Sequence, residues 1–479
     1  MLEAQGRPIP SADVAPCRVY LHEPAAAASY SIPPRYTPKA WRYNKYSQEL
    51  WLREALRATH PWRVSSPAEA DLIVVGTDFS MLCEAHKLTA ARYLWQIVLN
   101  DTLLCNGTRK GRQLVESQGD AHCASAMAPK LLPLTSVECG LPWRGWANGW
   151  APPSKPPRDF LFLLDHHALK LDPRRMIVSP AVVARPAWLL EPAAPPLVAW
   201  SSRPLLFFAG HIPKLFVSRS RYRIWEQLVG VPNVTSLSST LPCTVGAFEV
   251  CAAQHAWTER VHETFCEANG WQCRSRDPGP PCGVKNKEAL RHKCKAYRRL
   301  NWTAIVPAIR HGRTLLAREE YFRVAQAHRF CLVAPGDFIS TPKVSEFALV
   351  GATGGCIPVI VVPDKVDLEH GARAMLPLSG SLEYCDLAFL VPLSVATASM
   401  HTVLSHLSRV TPNEAARKHE ALRRARDAFA WRDSSSGPSA VDHILSAACA
   451  AARELRGGLP SDNLARKAAS LRRRDCVLS

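Results

Sequence analysis

None of the 16 cysteines in this chain forms a Cys-x-x-Cys pair, which speaks against structural zinc of the common kinds. No stretch is long and apolar enough to span a bilayer, because Phe347 to Val362, though apolar, is broken by glycines into helix, turn and strand. No apolar region follows Met1 either, so the expectation divides between a missing N-terminal anchor and a soluble protein. Asparagines are few. Acidic residues are outnumbered, 41 Asp and Glu against 59 Lys and Arg, for a formal charge of +18. That excess favours anionic partners, whether nucleotide sugars, acidic polysaccharides, nucleic acid or membrane surfaces, and its sign does not choose among them.

What is present is an enzyme-sized globular chain. With 479 residues, 47% hydrophobic and 21% charged, it has ample material for a core and for two domains or more. Cys243, Cys251, Cys266, Cys273, Cys282 and Cys294 crowd into one segment around Asp277-Pro278-Gly279, which reads as a disulfide-stapled insertion of undetermined connectivity. Cys331 and Cys356 lie inside apolar runs and read as small core residues rather than nucleophiles. Asn-x-Ser/Thr sequons begin at Asn100, Asn106, Asn233 and Asn301, in agreement with passage through an oxidising secretory lumen. Against this, Cys476-Val477-Leu478-Ser479 after Arg472-Arg473-Arg474 has the form of a prenylation signal at Cys476, which would make the protein cytosolic and membrane-associated. Lys285 to Arg299 is strongly basic. It reads first as a solvated helix face and second as a groove for an acidic polymer, with too few aromatics for single-stranded nucleic acid.

Alternating strand and helix patterns imply parallel sheets. Cys17 to Leu21, Leu72 to Val75 and Phe160 to Leu164 read as strands, and Tyr46 to Leu56 as a helix. Asp165, His166 and His167 follow the third strand, at the end where an open α/β sheet places ligand groups. After a Pro-rich linker, Leu205 to Gly210 opens a second α/β unit, and Thr411-Pro412-Asn413-Glu414 has the form of a capping box for a helix with Leu422 and Phe429 inward. The expected organisation is an N-terminal extension over 1–16, a first domain over 17–198 and a second over 199–435. An insertion falls near 238–300, and a helical, basic, partly disordered tail covers 436–479.

The most informative segment runs from Phe330 to Val362. Phe330 to Val333 and Ile357 to Val362 are unbroken apolar runs, as in parallel strands covered on both faces. Between them, Thr341 suits an N-cap and Pro342 the first helical position. Val344, Phe347, Ala348 and Gly351 then recur at helical spacing toward the sheet, while Lys343 and Glu346 lie on the other side. A helix start after a strand turns free amides and the positive end of its dipole toward the crevice. An anionic diphosphate suits that position, with Lys343 neutralising a phosphate and Glu346 accepting from ribose hydroxyls. The spacing alone is first that of an ordinary ion pair on a solvated helix edge.

Several pieces together resemble the exostosin-like glycosyltransferases, in the order in which that family carries them, over roughly residues 17–432 with gaps. They are the tyrosine-bearing first strand, the Tyr46 to Leu56 helix, Ser66-Pro67 to Asp71, Arg158-Asp159 with its strand and His166, and Ile177 to Pro180. Arg203 to Gly210, Phe330-Cys331-Leu332 with Gly336, and Gly355 to Val359 complete the series. The resemblance implies an α/β fold of GT-B type, two Rossmann-like domains whose parallel sheets face a central cleft. It further implies inverting transfer of a sugar from a nucleotide-sugar donor, UDP-linked by expectation, to a polysaccharide or glycoprotein acceptor, usually in the Golgi. Departures from the family pattern are Lys343 in place of an arginine, Pro335 before the loop glycine, a longer interval from Glu346 to Cys356, and His166-His167 where a His-Asp pair is usual.

Inverting transfer needs a base for the acceptor hydroxyl and a positive environment for the departing diphosphate. The base falls to Asp165 or His166. Donor binding falls to Gly210, Arg219, Arg221, Gly336, Ser340, Thr341, Lys343 and Glu346. No Asp-x-Asp triplet occurs, so a metal-bridged diphosphate has no obvious ligand pair, and the expectation is a metal-independent enzyme without a cofactor. A catalytically inactive, glycan-binding protein of the same shape is one alternative. A basic nucleic-acid-binding protein is another, resting on charge alone, and no motif in the series supports a nucleic-acid partner.

Overall fold

The computed structural model describes residues 17–24, 47–58, 60–76, 101, 103, 130–133, 160–164, 176–190, 198–210, 219–228, 230–238, 318–335, 341–364, 376–433, 437–457 and 478. The strands are β1 (Val19–His22), β2 (Leu72–Val75), β3 (Lys130–Pro133), β4 (Phe160–Leu164), β5 (Met176–Val178), β6 (Leu206–Gly210), β7 (Val234–Ser238), β8 (Phe330–Val333), β9 (Ile357–Val362) and β10 (Phe389–Pro392). The α-helices are α1 (Gln48–Arg57), α2 (Arg219–Leu228), α3 (Arg318–Ala327), α4 (Pro342–Ala352), α5 (Tyr384–Leu387), α6 (Leu393–Ala398), α7 (Met400–Ser408), α8 (Pro412–Phe429) and α9 (Ala440–Gly457). The cysteine-rich segment and the C-terminal Cys476 lie outside the described residues.

Among the described residues, ten strands form two all-parallel sheets, in the orders β1-β2-β3-β4-β5 and β10-β9-β8-β6-β7. The protein is therefore an α/β fold with parallel sheets. In the second sheet, alternate residues face opposite helical layers. Phe207, Cys331, Val333, Ile360, Val362 and Leu390 join one buried cluster with α3, α4 and α8. Leu206, Phe208, Phe330, Leu332, Val359 and Val361 join the other, with α2 and α7. Cover on both faces is why β8 and β9 read as continuous apolar runs rather than alternating ones.

Helix α4 starts where the sequence places it, but it is buried nearly all round. Val344, Phe347 and Ala348 are covered, and so are Leu349, Val350 and Ala352. The reason is α8, which lies along α4 so closely that a Cβ on Gly351 would stand 2.6 Å from Leu422 Cδ1. Gly354, at φ +81°, then turns the chain into β9 in a conformation that favours glycine.

Cys331 and Cys356, expected as small core residues, are buried and are also disulfide-bonded to each other, with Cα atoms 5.5 Å apart. Burial and bonding are compatible, since both residues have no exposed surface. A second disulfide joins Cys17 to Cys449 across 432 residues, and Cys385 is disulfide-bonded as well. The helical part of the expected tail is firmly packed. Val441, Ile444, Leu445, Ala448 and Ala452 of α9 share a cluster with Val19, Leu72, Val74, Leu161 and Leu163 of the first sheet.

That cluster is continuous from the first sheet through α9, α8 and α4 to the second sheet. The segment after β5 is stitched to the second unit: Leu378 N donates to Val178 O at 2.8 Å, Ala181 N to Ser345 Oγ at 3.1 Å, and Arg185 Nη2 to Trp431 O at 2.9 Å. Ile177 to Pro180, one of the motif pieces, is thus the place where the carboxyl edge of the first sheet meets the first turns of α4.

Candidate functional site

The second sheet reverses direction at one point. The chain passes from β6 outward to β7 and later resumes at β8 on the opposite side of β6. The helices that follow the two strands lie on opposite faces, α2 in one buried layer and α4 in the other. In an open parallel sheet such a reversal leaves a crevice beyond the carboxyl ends of the two central strands. Gly210 ends β6 there, and Ala334 and Pro335 follow β8.

Arg221, two residues after Arg219, braces this point from α2. Its Nε donates to Pro335 O at 3.0 Å and its Nη2 to Ala334 O at 3.1 Å. Both contacts tie α2 to the carbonyls that follow β8 and so fix the backbone at this end of the strand. Gly210 has no steric need to be glycine among its described neighbours, since a Cβ would meet only the Phe208 ring, at 3.5 Å.

The start of α4 differs from expectation in one respect. Thr341 is extended (φ −89°, ψ 155°) and its Oγ1 accepts from Lys343 N at 3.2 Å. Val344 N donates to Thr341 O at 3.0 Å, and Pro342 has no N–H to offer. The amides at positions 342–344 are therefore used within the cap or missing. What the helix start presents to the crevice is its dipole and Lys343.

Lys343 and Glu346 are brought together, with a partner that the sequence reading missed. Lys343 Nζ donates to Glu346 Oε2 at 2.7 Å and to the Tyr321 hydroxyl at 2.7 Å, and the hydroxyl donates to Glu346 Oε2 at 2.7 Å. The ammonium also lies 4.1 Å from the centre of the Tyr321 ring. Burial, followed by the neighbouring Glu346 carboxylate, holds the Tyr321 phenol well above its ordinary range, so it remains a hydrogen-bond donor. Instead of a solvated helix edge, this is a part-buried triangle, with 29% of the Lys343 side chain and 18% of the Glu346 side chain exposed. Tyr321 comes from α3, where Phe322 and Ala325 face the core, and only the apolar spacing of that helix announced its presence in the sequence.

Asp165, His166, Gly336 and Ser340 lie outside the described residues, as does the side chain of Arg219, whose backbone begins α2. Among the described residues no group of three or more His, Cys, Asp or Glu side chains is placed to hold a metal ion, and no helix is long and apolar enough to cross a membrane. No model of a known protein family matches the chain, and no curated protein matches it.

Proposed function

We propose that the protein is an exostosin-like, inverting glycosyltransferase that holds a nucleotide-sugar donor, UDP-linked by preference, at the β6/β8 crevice of the second sheet. The observation that carries this reading is the reversal of strand order between β6 and β8, with Arg221 on the carbonyls that follow β8 and α4 as the next helix after that strand. The order of sequence motifs supports the family, and the two sheets would then form the two halves of a GT-B cleft. In this reading Lys343 and the α4 dipole stabilise the departing diphosphate, Glu346 recognises the ribose, and no metal takes part. The disulfides favour an oxidising secretory compartment such as the Golgi lumen, and the acceptor class is a polysaccharide or glycoprotein.

One observation favours a second reading. Lys343 is already matched by a carboxylate and a phenol, which suits a glycan-binding protein that has lost turnover. Screening nucleotide sugars for slow hydrolysis, which needs no acceptor, decides between them. Release of nucleoside diphosphate from at least one donor supports the enzyme. Glycan binding without release from any donor supports the inactive form.

A further inference from the structure

The fold reverses its strand order a second time, and a His–Asp pair lies at that place. Beyond β1 the first sheet continues through a parallel bridge between Val19 and Arg63, where Val19 N donates to Trp62 O at 2.7 Å and Val64 N to Val19 O at 2.9 Å. The chain therefore runs from β1 outward to segment 62–64 and then returns across β1 to β2. The order of pairing is the same as at β6 and β8, and it is beyond the carboxyl ends of two such strands that an open parallel sheet places ligand groups.

His22 is the last residue of β1, and its carbonyl accepts from Gly76 N, just past β2, at 2.7 Å. Its Nε2 stands 2.8 Å from Asp101 Oδ2, while Asp101 Oδ1 accepts from Leu103 N at 2.9 Å. In the neutral ring, a carboxylate accepting from Nε2 selects the tautomer whose lone pair is on Nδ1. Nδ1 has no hydrogen-bond partner among the described residues. The ring is walled without being sealed, with 16% of the side chain exposed. The Tyr20 ring stacks beside it, with ring centres 6.4 Å apart. The carboxyl edge that carries His22 also carries the end of β5, which is bonded through Ala181 to Ser345 of α4.

We infer that His22 is the general base of the transfer and Asp101 its positioning residue, the substrate group being a hydroxyl of a saccharide acceptor. The inference rests on the glycosyltransferase reading. In the step, His22 Nδ1 takes the hydroxyl proton as the acceptor oxygen bonds to the anomeric carbon of the donor. The bond from that carbon to the diphosphate oxygen breaks, and its electron pair leaves with the nucleoside diphosphate. Asp101 fixes the tautomer and stabilises the imidazolium that forms. The assignment competes with Asp165 and His166, which follow β4, three strands away in the same sheet.

The test uses the full chain, a UDP-sugar that the wild type hydrolyses, and UDP as a binding probe. His22→Gln keeps a donor for Asp101 but supplies no base. It is expected to lower hydrolysis by about 100-fold or more, with UDP affinity unchanged. Added imidazole is expected to restore part of the activity of His22→Ala, which a purely structural histidine would not allow, and Asp101→Asn is expected to lower turnover by at least about 10-fold. Wild-type hydrolysis by His22→Gln overturns the inference, and so does a His22→Ala that imidazole does not rescue. A wild type that binds no UDP and hydrolyses no nucleotide sugar overturns the glycosyltransferase reading itself.

Discussion

Single residues show most clearly what a sequence withholds. The spacing of Lys343 and Glu346 shows that they can meet, but not that Tyr321, 22 residues before Lys343, closes the triangle, because that contact depends on α3 packing beside α4. Tyr321→Phe should therefore loosen the pair and weaken nucleotide binding by less than Lys343→Ala does, as UDP titration of the two variants will show. His419 carries a pH prediction. Burial pushes its pKa down from 6.5 to about 4, against a hydrogen bond to Gly355 O and with the help of Arg203 and Arg423. The unfolded chain takes up a proton near pH 6.5 and the native protein does not until about 4. Stability from the neutral ring is thus present above about 6.5 and is lost as pH falls toward 4, on the order of 3 kcal/mol. Thermal melts over that interval should fall less steeply for His419→Gln than for wild type.

Elements were more legible than contacts. Strands β8 and β9 have the bounds that their apolar runs suggest, because a strand buried on both faces has no polar residue to blur its ends. The starts of α4 and α8 were legible from Thr-Pro pairs, since Thr341 Oγ1 and Thr411 Oγ1 both accept first-turn amides. The all-round burial of α4 was not, because α8 packs on it from 60 residues further along the chain. Thr341→Ala should cost about 1 kcal/mol in urea denaturation. Gly355→Ala should cost about 1–3 kcal/mol, because its Cβ would stand 2.9 Å from Val350 O, a backbone atom that cannot move away cheaply.

At the scale of the molecule, the joining of the ends is what the sequence conceals. Cysteine pairing cannot be deduced from spacing over 432 residues, so the bond between Cys17 and Cys449 and the return of α9 to the first sheet emerge only from the structure. Replacing both cysteines by serine should destabilise the protein by about 2–4 kcal/mol and speed amide exchange in α9. Unchanged exchange would mean that packing alone holds the helix. The two reversals of strand order are also molecular-scale facts, since each depends on which distant strands pair.

The central claim is that the β6/β8 crevice holds a nucleotide sugar through Lys343. Calorimetric titration of UDP into wild type and Lys343→Ala tests it most directly. Saturable binding that weakens about 10–100-fold in the variant, as expected for a lost charge-assisted contact, is the predicted result. Equal affinity in the two proteins, or no binding to the wild type, would contradict it.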